Sequence, residues 1–112
     1  MKFHFSTEEA RNELEKINSL SVLLLQHGTM QLKYYAPKLI DKQLPHKQDE
    51  IYIIAAGYAV FYRTGERINC KKGDALFVPA AMEHRFENFS EDFATWVIFY
   101  GKEGGEKELA VF

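Results

Sequence analysis

Cysteine is nearly absent from this chain. Cys70 stands alone, which rules out an internal disulfide and any zinc site built from several thiolates. No block of one charge sign occurs either. Lys and Arg number 14 against 16 Asp and Glu, for a net charge of −2, so the basic footprint needed to hold nucleic acid is missing. No apolar run approaches the 18 or more residues of a membrane-spanning helix. The start, Met1-Lys2-Phe3-His4-Phe5, leads into charged residues, unlike a secretory leader. The expectation is a cytoplasmic protein with no nucleic-acid or membrane partner. Low-complexity stretches and linkers are also lacking; of the three prolines, Pro37 and Pro79 end apolar segments and Pro45 ends a polar loop. Residues 1–112 therefore read as one domain.

What is present is aromatic and apolar. Nine Phe, six Tyr and one Trp sit in a chain of 112 residues that is 46% hydrophobic, and such residues favour strands. A domain of this length buries roughly 60–70% of its extended surface, enough for a core without staples. One helix is expected first, over about residues 7–18. Ser6 and Glu9 read as a capping box, and Ala10, Leu14 and Ile17 share one face. After it come short strands separated by turn signals: Leu20 to Gln26, Thr29 to Ala36, Glu50 to Ala55, Tyr58 to Arg63, Arg67 to Cys70, Ala75 to Val78, His84 to Phe89 and Phe93 to Tyr100. A barrel over about 20–100 and a tail over 101–112 result, in an all-β sandwich, jelly roll or barrel. Phe93 to Tyr100 is apolar on both parities. Such a strand needs cover on both faces, from the core on one side and from the helix, the tail or a second subunit on the other.

Chemistry concentrates in three residues. His46 and Glu50 are four apart, and even spacing on extended chain puts both on one face with Gln48 and Tyr52. Asp49 points the other way. His84 lies on a later strand and shares its face with Phe86 and Asn88. If the barrel closes, two imidazoles and a carboxylate meet, a set that suits a divalent ion with positions left open. The alternative from residues alone is a hydrogen-bonded core His84 and a Glu50 paired with a nearby Lys or Arg. The candidate pocket wall is Gln48, Tyr52, Phe77, Phe86 and Trp96, with Tyr34 a further aromatic that could face inward. His4 and His27 read as surface or turn residues, Cys70 as a small buried one, Arg85 as an outer-face partner, and Gly57 and Gly73 as turn residues.

The stretch from Pro45 to Gly57 resembles the first motif of the cupin family, and Gly73 to Asn88 resembles the second. His46, Glu50 and Gly57 match the first in residue and spacing; Gly73, Pro79, His84 and Asn88 match the second. The resemblance runs through about residues 44–100, and more loosely back to Leu20. It implies a double-stranded β-helix, a jelly-roll barrel with a six-stranded core and extra strands, to which the N-terminal helix is added, and a metal held by His46, Glu50 and His84. Three positions depart from the pattern. Leu44 stands where the family has its first His, Ala81 where the second motif has Gly, which suggests an altered turn, and Lys38 where the first motif opens with Gly. The resemblance implies a small metal-binding cupin carrying Zn, Fe, Mn or Ni and acting on a small polar molecule as a dioxygenase, isomerase or lyase. The alternative is a non-catalytic protein that binds or senses a sugar-like small molecule. Small cupins commonly dimerise, so a homodimer is expected, with the Phe93–Tyr100 strand and the Leu109–Phe112 tail as candidate interface.

Overall fold

The computed structural model describes residues 2–109. One helix and eight strands follow in order: α1 (Thr7–Lys16), β1 (Ser21–His27), β2 (Met30–Tyr35), β3 (Asp49–Ala56), β4 (Tyr58–Arg63), β5 (Glu66–Lys71), β6 (Ala75–Val78), β7 (His84–Glu87) and β8 (Ala94–Tyr100). The Ser6 hydroxyl accepts from the Glu9 N–H at 3.1 Å and caps α1. The Glu9 carboxylate turns to Lys2 instead of closing the box. The helix ends two residues earlier than expected. Ile17 is already extended and 43% exposed, so only Ala10 and Leu14 form the buried face.

Two antiparallel sheets face each other. One runs β1-β2-β8-β3-β6 and the other β5-β4-β7. This is the expected all-β jelly-roll barrel. The inner faces meet in a core of Tyr52, Ile54, Ala59, Phe61, Cys70, Val78, Phe86, Phe93 and Val97. The outer face of the larger sheet carries a second cluster. There Tyr34, Ala55 and Ala94 pack under Ala10 and Leu14 of α1, flanked by Val22, Leu24 and Trp96. β8 lies between β2 and β3, with Tyr34 opposite Trp96 and Glu50 opposite Phe99. Its two apolar faces are therefore covered by the core and by the helix side. Of the expected interface tail, Leu109 is 72% exposed, and residues 110–112 lie outside the described residues. No helix among the described residues is long and apolar enough to cross a membrane.

Turns deliver the strands to the site. Gly57, between β3 and β4, has φ +74°, and a Cβ there would come within 2.9 Å of the Phe93 Cα, so both its conformation and its space demand glycine. Ala81 adopts φ +68°. The turn before β7 thus keeps the left-handed backbone that glycine favours, and the expected alteration is replaced by strain on an alanine.

Candidate metal centre

Each of the three residues arrives from a different setting. His46 is on the loop before β3, Glu50 is the second residue of β3, and His84 opens β7 on the facing sheet. Glu50 is held inside because β3 is flanked on both sides, by Val78 of β6 and Phe99 of β8. The neighbouring loops are stitched together. The Ala81 N–H donates to the His46 carbonyl at 2.7 Å. The buried Asp49 carboxylate, on the other parity, accepts from the N–H of Ala80 at 2.9 Å and of Glu106 at 2.7 Å.

The donor atoms of His46, Glu50 and His84 all lie within 4.8 Å of one another. Glu50 Oε1 is 2.8 Å from His84 Nε2 and 3.7 Å from His46 Nε2. Both Glu50 oxygens are buried and neither has a hydrogen-bond partner, so the 2.8 Å approach to His84 is a close contact without hydrogen-bond alignment. Among the described residues, only these two imidazoles form ion-pair contacts with Glu50, so the Lys or Arg partner of the alternative reading is not found. His84 Nδ1 sits 2.8 Å from the Met82 carbonyl. A carbonyl only accepts, so Nδ1 carries the proton and the neutral ring turns a bare Nε2 lone pair toward Glu50. Burial pushes the His84 pKa down, but the Glu50 carboxylate beside the ring and the hydrogen bond to the Met82 carbonyl together outweigh it, and the net shift is upward. Burial holds His46 below the ordinary imidazole value, partly offset by Glu50. An unpartnered buried carboxylate is costly. With two imidazole nitrogens beside it, the arrangement fits a divalent cation in both charge and donor chemistry. The His46 side chain is 32% exposed, so solvent reaches the cluster from that side.

The other candidate pocket residues divide. The Tyr52 hydroxyl lies 3.1 Å from His84 Nε2 and donates to Gln43 Oε1 at 2.8 Å. Burial, reinforced by Glu50, keeps its phenol protonated. Phe86 packs beneath it, ring centroids 4.9 Å apart, as core floor. Three others are elsewhere. Gln48 donates to the carbonyls of Thr29 and Gly101, because β3 begins only at Asp49 and the period-two argument does not extend back to it. Phe77 is 48% exposed on the outward parity of β6. Trp96 sits edge-on to Tyr34 at 5.1 Å in the cluster under the helix. Both aromatics are on the wrong parity for the interior.

The residues that sequence reasoning missed lie in the loop between Pro37 and Pro45. Gln43 Oε1 is 3.2 Å from His46 Nε2. Gln43 Nε2 donates to Asp41 Oδ2 at 2.7 Å. Asp41, only 4% exposed, also accepts from the Phe86 N–H at 2.8 Å and from the Tyr35 hydroxyl. An acidic residue in a polar loop carries no sequence signal for such burial. Leu44, in the place of the missing histidine, is 76% exposed.

Facing antiparallel sheets, with a two-imidazole, one-carboxylate cluster held where the motif turns converge, define a cupin barrel. The profile of the cupin domain matches residues 33–100, and the chain belongs to that family. An uncharacterized protein of Streptomyces coelicolor is 30% identical over 97 residues, covering 85% of this chain and 92% of its relative. A cupin 2 conserved barrel domain protein from Salinispora arenicola shares the fold with TM-score 0.67 at 17% identity, over 90% of this chain and 89% of the other. The DMSP lyase DddQ from Ruegeria pomeroyi shares it with TM-score 0.62 at 24% identity, over 72% of this chain and 46% of that one.

Proposed function

We propose that this protein binds one divalent metal ion through His46 Nε2, Glu50 and His84 Nε2 and acts there on a small polar molecule. The observation that carries the reading is Glu50, a fully buried carboxylate with neither oxygen hydrogen-bonded, set beside two imidazole nitrogens. A bound ion would supply Lewis-acid polarisation of the ligand. The chain's own residues do the rest. Glu50 contributes the compensating charge, Met82 fixes the His84 tautomer, and the Tyr52 hydroxyl, its proton held by Gln43 Oε1, lines the edge of the cluster. The cupin fold hosts several chemistries, so the reaction is placed among dioxygenase, isomerase and lyase types without choosing one. Zn, Fe, Mn and Ni all suit the donor set. The test is elemental analysis of freshly purified protein beside a His46→Ala/His84→Ala double variant. Near-stoichiometric metal is expected in the first and none in the second. Full metal retention in the double variant would sink the site.

The second reading is a non-catalytic protein that binds or senses a small molecule. It is favoured by a cleft of about 730 Å³ beside α1, lined among others by Arg11, Leu14, Tyr34, Lys38 and Asp92, which includes none of the three candidate ligands. Calorimetric titration with small polar molecules, with and without chelator, separates the two. Binding that ignores the chelator favours the cleft. The homodimer expectation is also carried forward: Ile53 and Phe77, on the outward face of β3 and β6, are 38% and 48% exposed. Light scattering that reports only monomer would remove it.

A further inference from the structure

We propose that the Gln43 side-chain oxygen is a fourth protein ligand of this centre, taking the role left vacant at Leu44, with Asp41 as its positioning residue; this rests on the metal reading above.

The direction of the Gln43 amide is set by what lies behind it. Asp41 is a buried carboxylate whose Oδ2 already accepts from the Phe86 N–H and whose Oδ1 accepts from the Tyr35 hydroxyl. A carboxylate can only accept, so the Gln43 group facing Oδ2 at 2.7 Å must be the NH₂. The oxygen is thereby turned to the other side, where it meets His46 Nε2 at 3.2 Å and the Tyr52 hydroxyl at 2.8 Å. Atoms bound to one ion at about 2.0–2.1 Å stand roughly 2.9–3.4 Å apart. The 3.2 Å separation of Gln43 Oε1 from His46 Nε2 is a hydrogen bond when that nitrogen carries a proton, and it falls within the spacing of two neighbouring ligands when it does not. Tyr52 is its other partner at this end, and a hydroxyl proton directed at an amide oxygen leaves that oxygen a second lone pair.

The same geometry explains why Leu44 is tolerated. Its side chain is 76% exposed and packs in neither buried cluster. A histidine there would not reach without moving the Pro37–Pro45 loop, which Asp41 anchors to β7 through Phe86. The resulting set of two imidazoles, a carboxylate and an amide oxygen is harder than the family's usual three-imidazole set. It favours Mn and Fe over copper relative to that set.

Cobalt(II) tests the assignment, because its visible absorption reports coordination number and donor type. Wild type, Gln43→Met and Leu44→His are loaded with Co(II), and affinity is read by competition with a chelator. Methionine keeps the volume of glutamine and removes the oxygen. The expected result is a changed spectrum and an affinity lower by about tenfold for Gln43→Met, the lower end of what lost partners around metal sites cost. Leu44→His should leave both unchanged. An independent reading needs no variant: adding Zn(II) to wild type should shift the Gln43 side-chain carbonyl carbon resonance far more than that of Gln48, which is engaged elsewhere. Co(II) binding with identical spectra and affinities in wild type and Gln43→Met, and no Gln43 shift, would overturn the fourth ligand while leaving the three-residue site standing. Wild type that takes up no Co(II) would overturn the metal reading and this proposal with it. A spectrum changed by Leu44→His but not by Gln43→Met would return the fourth position to residue 44.

Discussion

The two faces of one sheet do different work. On the outer face, Tyr34, Ala55, Ala94 and Trp96 pack against Ala10 and Leu14 of α1, and the contacts are apolar. On the inner face of the same strands, Glu50, Tyr52 and Tyr35 meet His84 and the Asp41–Gln43 loop in a polar, titratable network. β3 alone supplies Glu50 and Tyr52 to one side and Ala55 to the other. Among the described residues, the helix side has no fully buried side-chain nitrogen or oxygen without a partner, whereas the inner side leaves both oxygens of Glu50 without a hydrogen bond. A fold that spends outer-face burial on stability can carry an inner face that costs stability until a ligand arrives.

The largest effect is expected where that cost is concentrated. Glu50→Gln removes the charge but keeps the shape. Loss of partners that merely orient metal ligands costs roughly 10–100-fold in affinity, so loss of this ligand should exceed about a hundredfold. In chelator, the same variant should melt no lower than wild type, because a neutral amide replaces a buried carboxylate that has no hydrogen bond. Chelator competition reads the first effect and thermal melting the second. A metal-free Glu50→Gln protein that melts well below wild type would break the comparison, since Glu50 would then be structural.

The outer face should give the opposite pair of results. Tyr34 is 3% exposed and central to the helix-side cluster. Tyr34→Ala should destabilise by about 3 kcal/mol, as large-to-small changes of buried aromatics do. Metal affinity of the folded fraction should be unchanged. Urea denaturation followed by tryptophan fluorescence would report it directly, because Trp96 packs on Tyr34 at 5.1 Å.

Much of this division could be read from the sequence, and its failures share a cause. Alternation within a strand, together with the two motifs, was enough to place Glu50 and Tyr52 on one face of β3. Arg85 is found outward as expected, with its guanidinium 4.0 Å from the Tyr62 ring centroid. Alternation failed where the chain is not yet a strand: Gln48 precedes β3 and turns to the Thr29 and Gly101 carbonyls. For Phe77 and Trp96, aromatic character suggests a pocket, but their parity points outward. The Asp41–Gln43 network was illegible because it rests on a loop crossing the barrel mouth. Nothing local tells Asp41 from any exposed loop aspartate until the Phe86 N–H 45 residues away is seen to need it.

Acidity should sharpen the comparison further, since both candidate imidazole ligands belong to the inner cluster. Metal binding requires neutral imidazoles. His84 has its pKa raised above 6.5 and His46 has its own lowered below it. As pH falls, the proton therefore competes first at His84, already above pH 6.5, and at His46 only at lower pH. Affinity should drop about tenfold per pH unit while one proton is displaced, and more steeply once two are. Chelator competition across pH 5–8 checks this. A single break well below pH 6.5 would contradict the opposed environments of the two rings.

The smallest effect probes whether the two faces are truly independent at the turn before β7. Ala81 holds φ +68°, which costs an L-residue roughly 1–2 kcal/mol. Replacing it with glycine relieves that strain but adds unfolded-chain entropy of about 0.5–1 kcal/mol. Ala81→Gly should therefore stabilise by only about 0.5 kcal/mol. The turn is tied to the site through its own backbone atoms, the Ala81 N–H donating to the His46 carbonyl and the Met82 carbonyl accepting from His84 Nδ1, and glycine keeps both bonds. Metal affinity should stay at its wild-type value while the melting temperature rises slightly. If affinity instead moves with stability, strain stored in the turn is part of what positions His84, and the inner face depends on backbone energetics as well as on its ligands.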